Sequence, residues 1–188
     1  MLECHRPTAI RREVAFCEAV YDGTATVEGV TARKVDSFRE CQEIWSAGEI
    51  PPYGRPPREK ILREYRPAAL IDGILAKQNL GTDRSMADLT IALGPGFSAG
   101  EDVDYVVETM RGHNLGRIIR EGSALPNTGI PGVIAGYGKE RVIHAPAGGV
   151  IRCQSQIADI VEKDQILGWI GEVPVKSSLT GVLRGIIR

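Results

Sequence analysis

The chain has 188 residues, is 43% apolar and 25% charged, and carries a formal net charge of −1. These proportions suit a folded globular protein rather than a disordered one. Near-neutrality argues against non-specific nucleic-acid binding, which normally needs a basic face. An aromatic content of 5% leaves few platforms for base stacking.

No apolar run is long enough to cross a bilayer. The opening MLECHRPTAIRRE has no apolar signal core, so a cytoplasmic location is expected. Cys4, Cys17, Cys41 and Cys153 form no tight pair, and His5, His113 and His144 are equally scattered. Structural zinc needs clustered ligands, so the expectation is four reduced thiols.

In chain order, Pro7 suits a first helical turn. Ile10, Val14, Cys17 and Val20 then recur at helical spacing until Asp22-Gly23, which predicts a helix. TATVEGVTARKV alternates and is rich in β-branched residues, predicting a strand or a hairpin, with Gly29 at a turn. Ser37 followed by Glu40 and closed by Gly48 is a capping-box helix. IPPYGRPP (50–57) is expected to be an ordered loop or lid. AALIDGIL and ADLTIAL have the continuous apolar character of buried strands. EDVDYVVETM carries Val103, Val106 and Val107 on one side and predicts an amphipathic helix. LGRII is a further short strand, and SALPNTGIPGVIAGYGKE is a long loop. Strand–loop–helix alternation implies parallel strands with helices packed on them. The predicted fold is therefore α/β and Rossmann-like over 1–138, followed by a small all-β region over 139–188.

That second region contains a repeat. APAGGVIR (145–152) and SSLTGVLR (177–184) share a Gly-Val-(Ile/Leu)-Arg ending, 32 residues apart. A unit so short cannot close a core alone, so the copies are expected to form two facing β-layers related by pseudo-two-fold symmetry, pairing 145–152 with 177–184. A turn is expected at Glu162 to Gln165. The segment Ala158-Asp159-Ile160-Val161-Glu162-Lys163-Asp164-Gln165 resembles the central element of lipoyl and biotinyl domains, so a barrel-sandwich is implied. Those domains carry a lysine at a hairpin tip, where this chain has Gly171-Glu172-Val173-Pro174. Lys176 lies in the returning strand, so no covalent lipoyl or biotinyl group is expected.

Gly94-Pro95-Gly96-Phe97-Ser98-Ala99 matches G-x-G-x-x-A directly after a predicted strand. Small residues there would let backbone N–H groups of Gly94, Gly96, Ser98 and Gly100 approach an anion, with a helix N-terminus adding positive potential. Pro95 removes one donor. Glu101, Asp102 and Asp104 would either serve the helix dipole or hold a cation. Lys77 and Asn79 follow the preceding strand, where open sheets place ligand crevices. Asn127 and Thr128, in the PNTGIPG loop, complete the candidate ligand set. Glu108 and His113 are the candidates for proton transfer or metal binding, although no serine triad, CxxC or Walker lysine is present.

Several segments together go beyond generic patterns. PTAIRREVAFCEAVYDG, DGILAKQNLGT, ADLTIALGPGFSAGEDVDYVVETMRGHNLGRII, GSALPNTGIPG, HAPAGGVIR and GVLRGIIR resemble the YqeB-type accessory proteins of selenium-dependent molybdenum hydroxylases. The resemblance spans nearly the whole chain. It implies that family members begin with a further strand and Gly-rich turn and run on past the second repeat. The start at MLEC would then correspond to their second strand, with Glu3 in the place of a ribose-binding acid. It also implies a maturation role for a xanthine-dehydrogenase-like molybdenum hydroxylase, with an anionic molybdopterin-type or nucleotide ligand. The alternative from a different class is an NAD(P)-dependent oxidoreductase or nucleotide-modifying enzyme using Lys77, His113 and the glycine loop.

Overall fold

A computed structural model describes residues 1–51, 61–62 and 65–187. The predicted Pro-rich lid therefore lies, apart from Ile50 and Pro51, outside the described residues. The chain divides into two compact units. One combines Met1–Pro56 with Val133–Arg188, and the other is Pro57–Gly132.

In the first unit, two 3-10 turns (Arg12–Val14, Phe16–Glu18) lead into a single helical turn, α1 (Ala19–Asp22), which ends at Gly23 with φ +82°. The long helix predicted over Pro7–Gly23 is thus broken. The reason is tertiary. Ile186 N–H donates to the Ile10 carbonyl at 3.0 Å, and Arg12 Nε donates to the Ile186 carbonyl at 2.9 Å. A backbone committed to that pairing cannot also wind into a helix. Ile10 and Val14, the supposed apolar face, stay 59% and 66% exposed.

Of the two readings, strand or hairpin, strands β1 (Thr24–Val27) and β2 (Val30–Arg33) form the antiparallel hairpin. Glu28 and Gly29 both take positive φ, +50° and +81°, the geometry that matches strand twist in a two-residue turn. Helix α2 (Phe38–Ser46) starts where the capping box placed it. Ser37 Oγ accepts the Glu40 N–H at 3.2 Å, and Glu40 accepts the Asp36 N–H at 3.1 Å.

The second unit holds β3 (Ala69–Asp72), β4 (Leu89–Leu93), β5 (Ser98–Ala99), β6 (Tyr105–Val107), β7 (Ile118–Ile119) and β8 (Gly122–Ser123). One four-stranded sheet runs in the order β3-β4-β6-β7. Strands β3, β4 and β6 are parallel, and β7 is antiparallel to β6. Strands β5 and β8 form a separate antiparallel pair.

The amphipathic helix predicted over EDVDYVVETM is instead a loop leading into β6. Two aspartates bring this about. Asp102 accepts the Ser98 N–H at 2.8 Å, and Asp104 anchors to Thr90 in β4. The chain therefore enters Tyr105 extended, beside β4. Burial alternates over Tyr105–Val107, with Val106 fully buried between two half-buried residues. The valines satisfy a strand period as well as a helical one, and β-branching favours the strand.

The crossover from β3 to β4 carries only a 3-10 turn (Arg84–Met86), and that from β4 to β6 only β5. Neither contains an α-helix, so this is not the Rossmann-like pattern. One face of the sheet packs Ala92 and Val106 into a core with Phe97, Ala99, Val103 and Ala124. The opposite face carries Ile71, Ile91, Tyr105, Leu93, Val107 and Ile118 in register. Ile71 and Ile118 there are 62% and 61% exposed. The expectation of strands covered on both faces fails for the same reason: no helical layer follows them.

After a 3-10 turn (Lys139–Arg141) the chain is β throughout its regular elements: β9 (Ile151–Cys153), β10 (Ile160–Val161), β11 (Ile166–Ile170), β12 (Val173–Lys176) and β13 (Gly181–Val182). These make a β12-β11-β9 sheet and a β10-β13 pair. The two repeats do not pair with each other. The first supplies β9, which pairs with β11, and the second supplies β13, which pairs with β10. Val161, Leu167, Leu183 and Ile186 form one core, with Ile151 and Ile157 against it. The predicted turn is present, with Gln165 N–H donating to the Glu162 carbonyl at 3.1 Å. Among the described residues, then, the regular structure is mostly five small sheets, with only short helical segments. The expected Rossmann-like α/β region followed by a barrel-sandwich module is corrected accordingly.

Candidate functional site

The parallel strands β3, β4 and β6 end together, at Asp72, Leu93 and Val107. The loops that follow them therefore emerge on one edge of the sheet, the edge where open sheets hold their ligands. Gly96 (φ +109°) lies so close to the next loop that a Cβ there would sit 2.5 Å from Gln78 Cα. A Cβ on Gly94 (φ +80°) would sit 2.6 Å from Thr109 Oγ1. The segment around Lys77, the glycine loop and the start of the 108–116 segment are thus brought together.

Their chemistry differs from the sequence expectation. Gly96 permits backbone-to-backbone packing rather than ligand access. Because no helix follows, the loop has no helix dipole to offer an anion. Gly94 N–H donates to the Val107 carbonyl at 2.8 Å and Gly100 N–H to the Val103 carbonyl at 2.7 Å. Ser98 N–H is held by Asp102. Three of the proposed donors therefore already have protein acceptors.

Asn79 holds its own turn. Its side-chain oxygen accepts the N–H groups of Gly81 and Thr82, both at 2.8 Å, and its amide donates to the Thr82 carbonyl at 2.9 Å. Thr82 in turn donates its hydroxyl to the buried Asp72 at 2.6 Å. Sequence reasoning missed this Asp72–Thr82 bond, which ties the loop back to the end of β3. Lys77 is exposed and adopts φ +64°. Thr128 caps a local turn through the Ile130 N–H at 3.2 Å, while Asn127 is exposed.

The carboxylates are structural. Asp104 accepts the Thr90 N–H at 2.8 Å and the Thr90 hydroxyl at 2.9 Å, and pairs with Arg84 at 2.8 Å. These Thr90 bonds, reinforced by Arg84, hold its carboxyl below the ordinary aspartate range. Glu108 is 3% exposed. It accepts the Leu125 N–H at 2.8 Å and the Met110 N–H at 2.7 Å. The Leu125 bond above all lowers its pKa against the opposing effect of burial. A carboxylate held in this way is a poor proton carrier at neutral pH. His113 is exposed on the following turn, and no hydrogen bond or ion pair joins it to Glu108 among the described residues. Nor do the described residues gather three His, Cys, Asp or Glu side chains that could hold a metal. The four thiols are free, Cys4 and Cys153 exposed, Cys17 and Cys41 buried.

A cleft of about 470 Å³ opens beside β7, lined among others by Glu108, Asn114, Arg117, Arg120, Ser123 and Leu125. Its two arginines were not singled out from the sequence, where the signal was the Arg-Ile-Ile-Arg pattern flanking a short strand. No described helix is long and apolar enough to cross a membrane.

No family model matches the chain, and no solved structure matches it. The chain is homologous from end to end, at 49% identity over 187 residues, to the protein named "Uncharacterized protein YqeB" of Escherichia coli (strain K12), and it spans 34% of that relative's length.

Proposed function

We propose that this chain is part of an accessory protein in the maturation of a selenium-dependent molybdenum hydroxylase. In this reading it holds an anionic ligand, a molybdopterin-type compound or a nucleotide, at the loops following β3, β4 and β6. The observation that carries the reading is the homology to YqeB over the whole chain, and the exposed Lys77, at the carboxyl edge of the parallel strands, is the cation offered to the ligand. The competing oxidoreductase reading needed a helix N-terminus after the glycine loop, and β6 stands in its place.

The test is ligand retention and partner capture. Gently purified protein is analysed by native mass spectrometry for bound small molecules, then assayed for co-purification with a xanthine-dehydrogenase-like hydroxylase. The expected result is a retained anionic pterin or nucleotide, depleted in Lys77→Ala, and recovery of the hydroxylase. Saturable nicotinamide-cofactor binding with hydride transfer would point to the enzyme instead.

A further inference from the structure

Strand β3 is an edge of the four-stranded sheet, with β4 on one side and no described strand on the other. Its ladder to β4 fixes which groups that edge presents. Leu89 N–H donates to the Ala68 carbonyl at 3.1 Å, and the parallel register runs from Ala69–Leu89 to Asp72–Ala92. Backbone groups alternate sides along a strand, so Ala68, Leu70 and Asp72 face β4. The N–H and carbonyl groups of Ala69 and Ile71 therefore point away from it. Among the described residues they have no hydrogen-bond partner.

The surface along this edge is apolar. Every residue of 68–76 except Leu70 and Asp72 is exposed, with Ile71 at 62%, Ile74 at 60% and Leu75 at 46%. The one charge, Asp72, is buried and held by the Thr82 hydroxyl and the Ile74 N–H. Edge strands that stay single are commonly protected by a charge or a proline. Strand β12, an edge of its own sheet, carries Pro174 and Lys176, and β7 is bounded by Arg117 and Arg120. Between Ala68 and Ala76 there is neither a proline nor an exposed charge.

We infer that β3 pairs with the β3 of a second copy of this chain, antiparallel, across a two-fold axis at Leu70. The register is self-complementary. With Leu70 opposite Leu70, Ala69 of each copy faces Ile71 of the other as a hydrogen-bonded pair that exchanges both N–H···O bonds. Every outward group of both strands is then satisfied, and the contact closes on itself as a two-fold interface must. Covering the 68–76 stretch removes roughly 500 Å² per copy from water, about 1,000 Å² in all, the size a specific interface needs. A foreign strand could satisfy the same groups, but this register needs nothing beyond the chain itself.

Sedimentation velocity of the whole chain between about 1 and 100 µM, a range that brackets a micromolar dissociation constant, tests it. A monomer–dimer equilibrium is expected. Ile71→Pro removes an N–H that faces away from β4, a position where edge strands accept proline. Ile71→Lys places a charge on the same edge and keeps the test open should the proline variant unfold. Each change enters the dimer twice, so each should weaken dimerisation about tenfold or more, with circular dichroism unchanged. A chain that stays monomeric over the whole range overturns the inference, as does a dimer undiminished in a folded variant. Neither variant alters Lys77, so ligand retention is judged separately.

Discussion

Asp104 and Thr90 grip each other reciprocally. The aspartate accepts both the N–H and the hydroxyl of Thr90, and the Thr90 oxygen accepts the Asp104 N–H at 3.0 Å. Thr90 is completely buried. This clasp joins the start of β6 to β4, beside the buried Val106. Asp104→Ala should therefore destabilise the 57–132 unit by about 2 kcal/mol, the scale of losing hydrogen bonds to a charged group. Urea unfolding followed by circular dichroism measures it. A change within experimental error would mean that β6 is placed by its valines alone.

Acid should weaken the same unit. Asp104 and Glu108 both have folded pKa values below their ordinary ones. At intermediate pH the unfolded state binds more protons, so stability rises with pH. The contribution is complete above the ordinary carboxylate range near pH 4 and disappears as pH falls through the lowered folded values. Urea midpoints measured between pH 2.5 and pH 6, on the order of one unit either side of that range, should show this slope. Glu108→Gln should flatten it and cost about 2 kcal/mol at neutral pH. An unchanged slope would rule out Glu108 as a contributor.

Gly96 and Gly100 provide an internal contrast. Both have positive φ, but a Cβ on Gly96 meets Gln78 backbone, whereas one on Gly100 finds its nearest atom, the Arg120 carbonyl, at 3.9 Å. Gly100→Ala should cost about 1 kcal/mol from conformation alone. Gly96→Val should cost roughly 3 kcal/mol or more, because backbone must move as well. Thermal melts of the two variants check the order. Equal losses would show that the 77–78 loop yields easily.

In the other unit, Leu167 is 2% exposed at the centre of the Val161–Leu183–Ile186 core. Leu167→Ala should lose about 3 kcal/mol, read from guanidinium unfolding. Lys176, exposed at the end of β12, should carry no lipoyl or biotinyl group. An intact-mass gain matching either group, removed by Lys176→Arg, would contradict this.

The features legible in the sequence are those specified within a few residues. The Ser37–Glu40 capping box starts α2, Glu28-Gly29 turns the first hairpin, and the runs around Leu70 and Ile91 are strands. The close of the Glu162–Gln165 turn belongs with them. In each case the turn or cap chemistry has few alternatives, so neighbours in the chain decide the outcome. Where two periods fitted the same residues, tertiary structure decided. Val103, Val106 and Val107 suit a helix or a strand, and Asp104 selects the strand by reaching Thr90, fourteen positions back. Ile10 and Val14 suit a helix face, and Ile186 removes it by bonding to Ile10 from the far end of the chain. The candidate site divides in the same way. A glycine loop was visible as a motif, but only the fold showed that Gly96 accommodates another backbone and that Asn79 closes its own turn. Such contacts have no local signature, because their energy comes from atoms that meet only after the chain has folded.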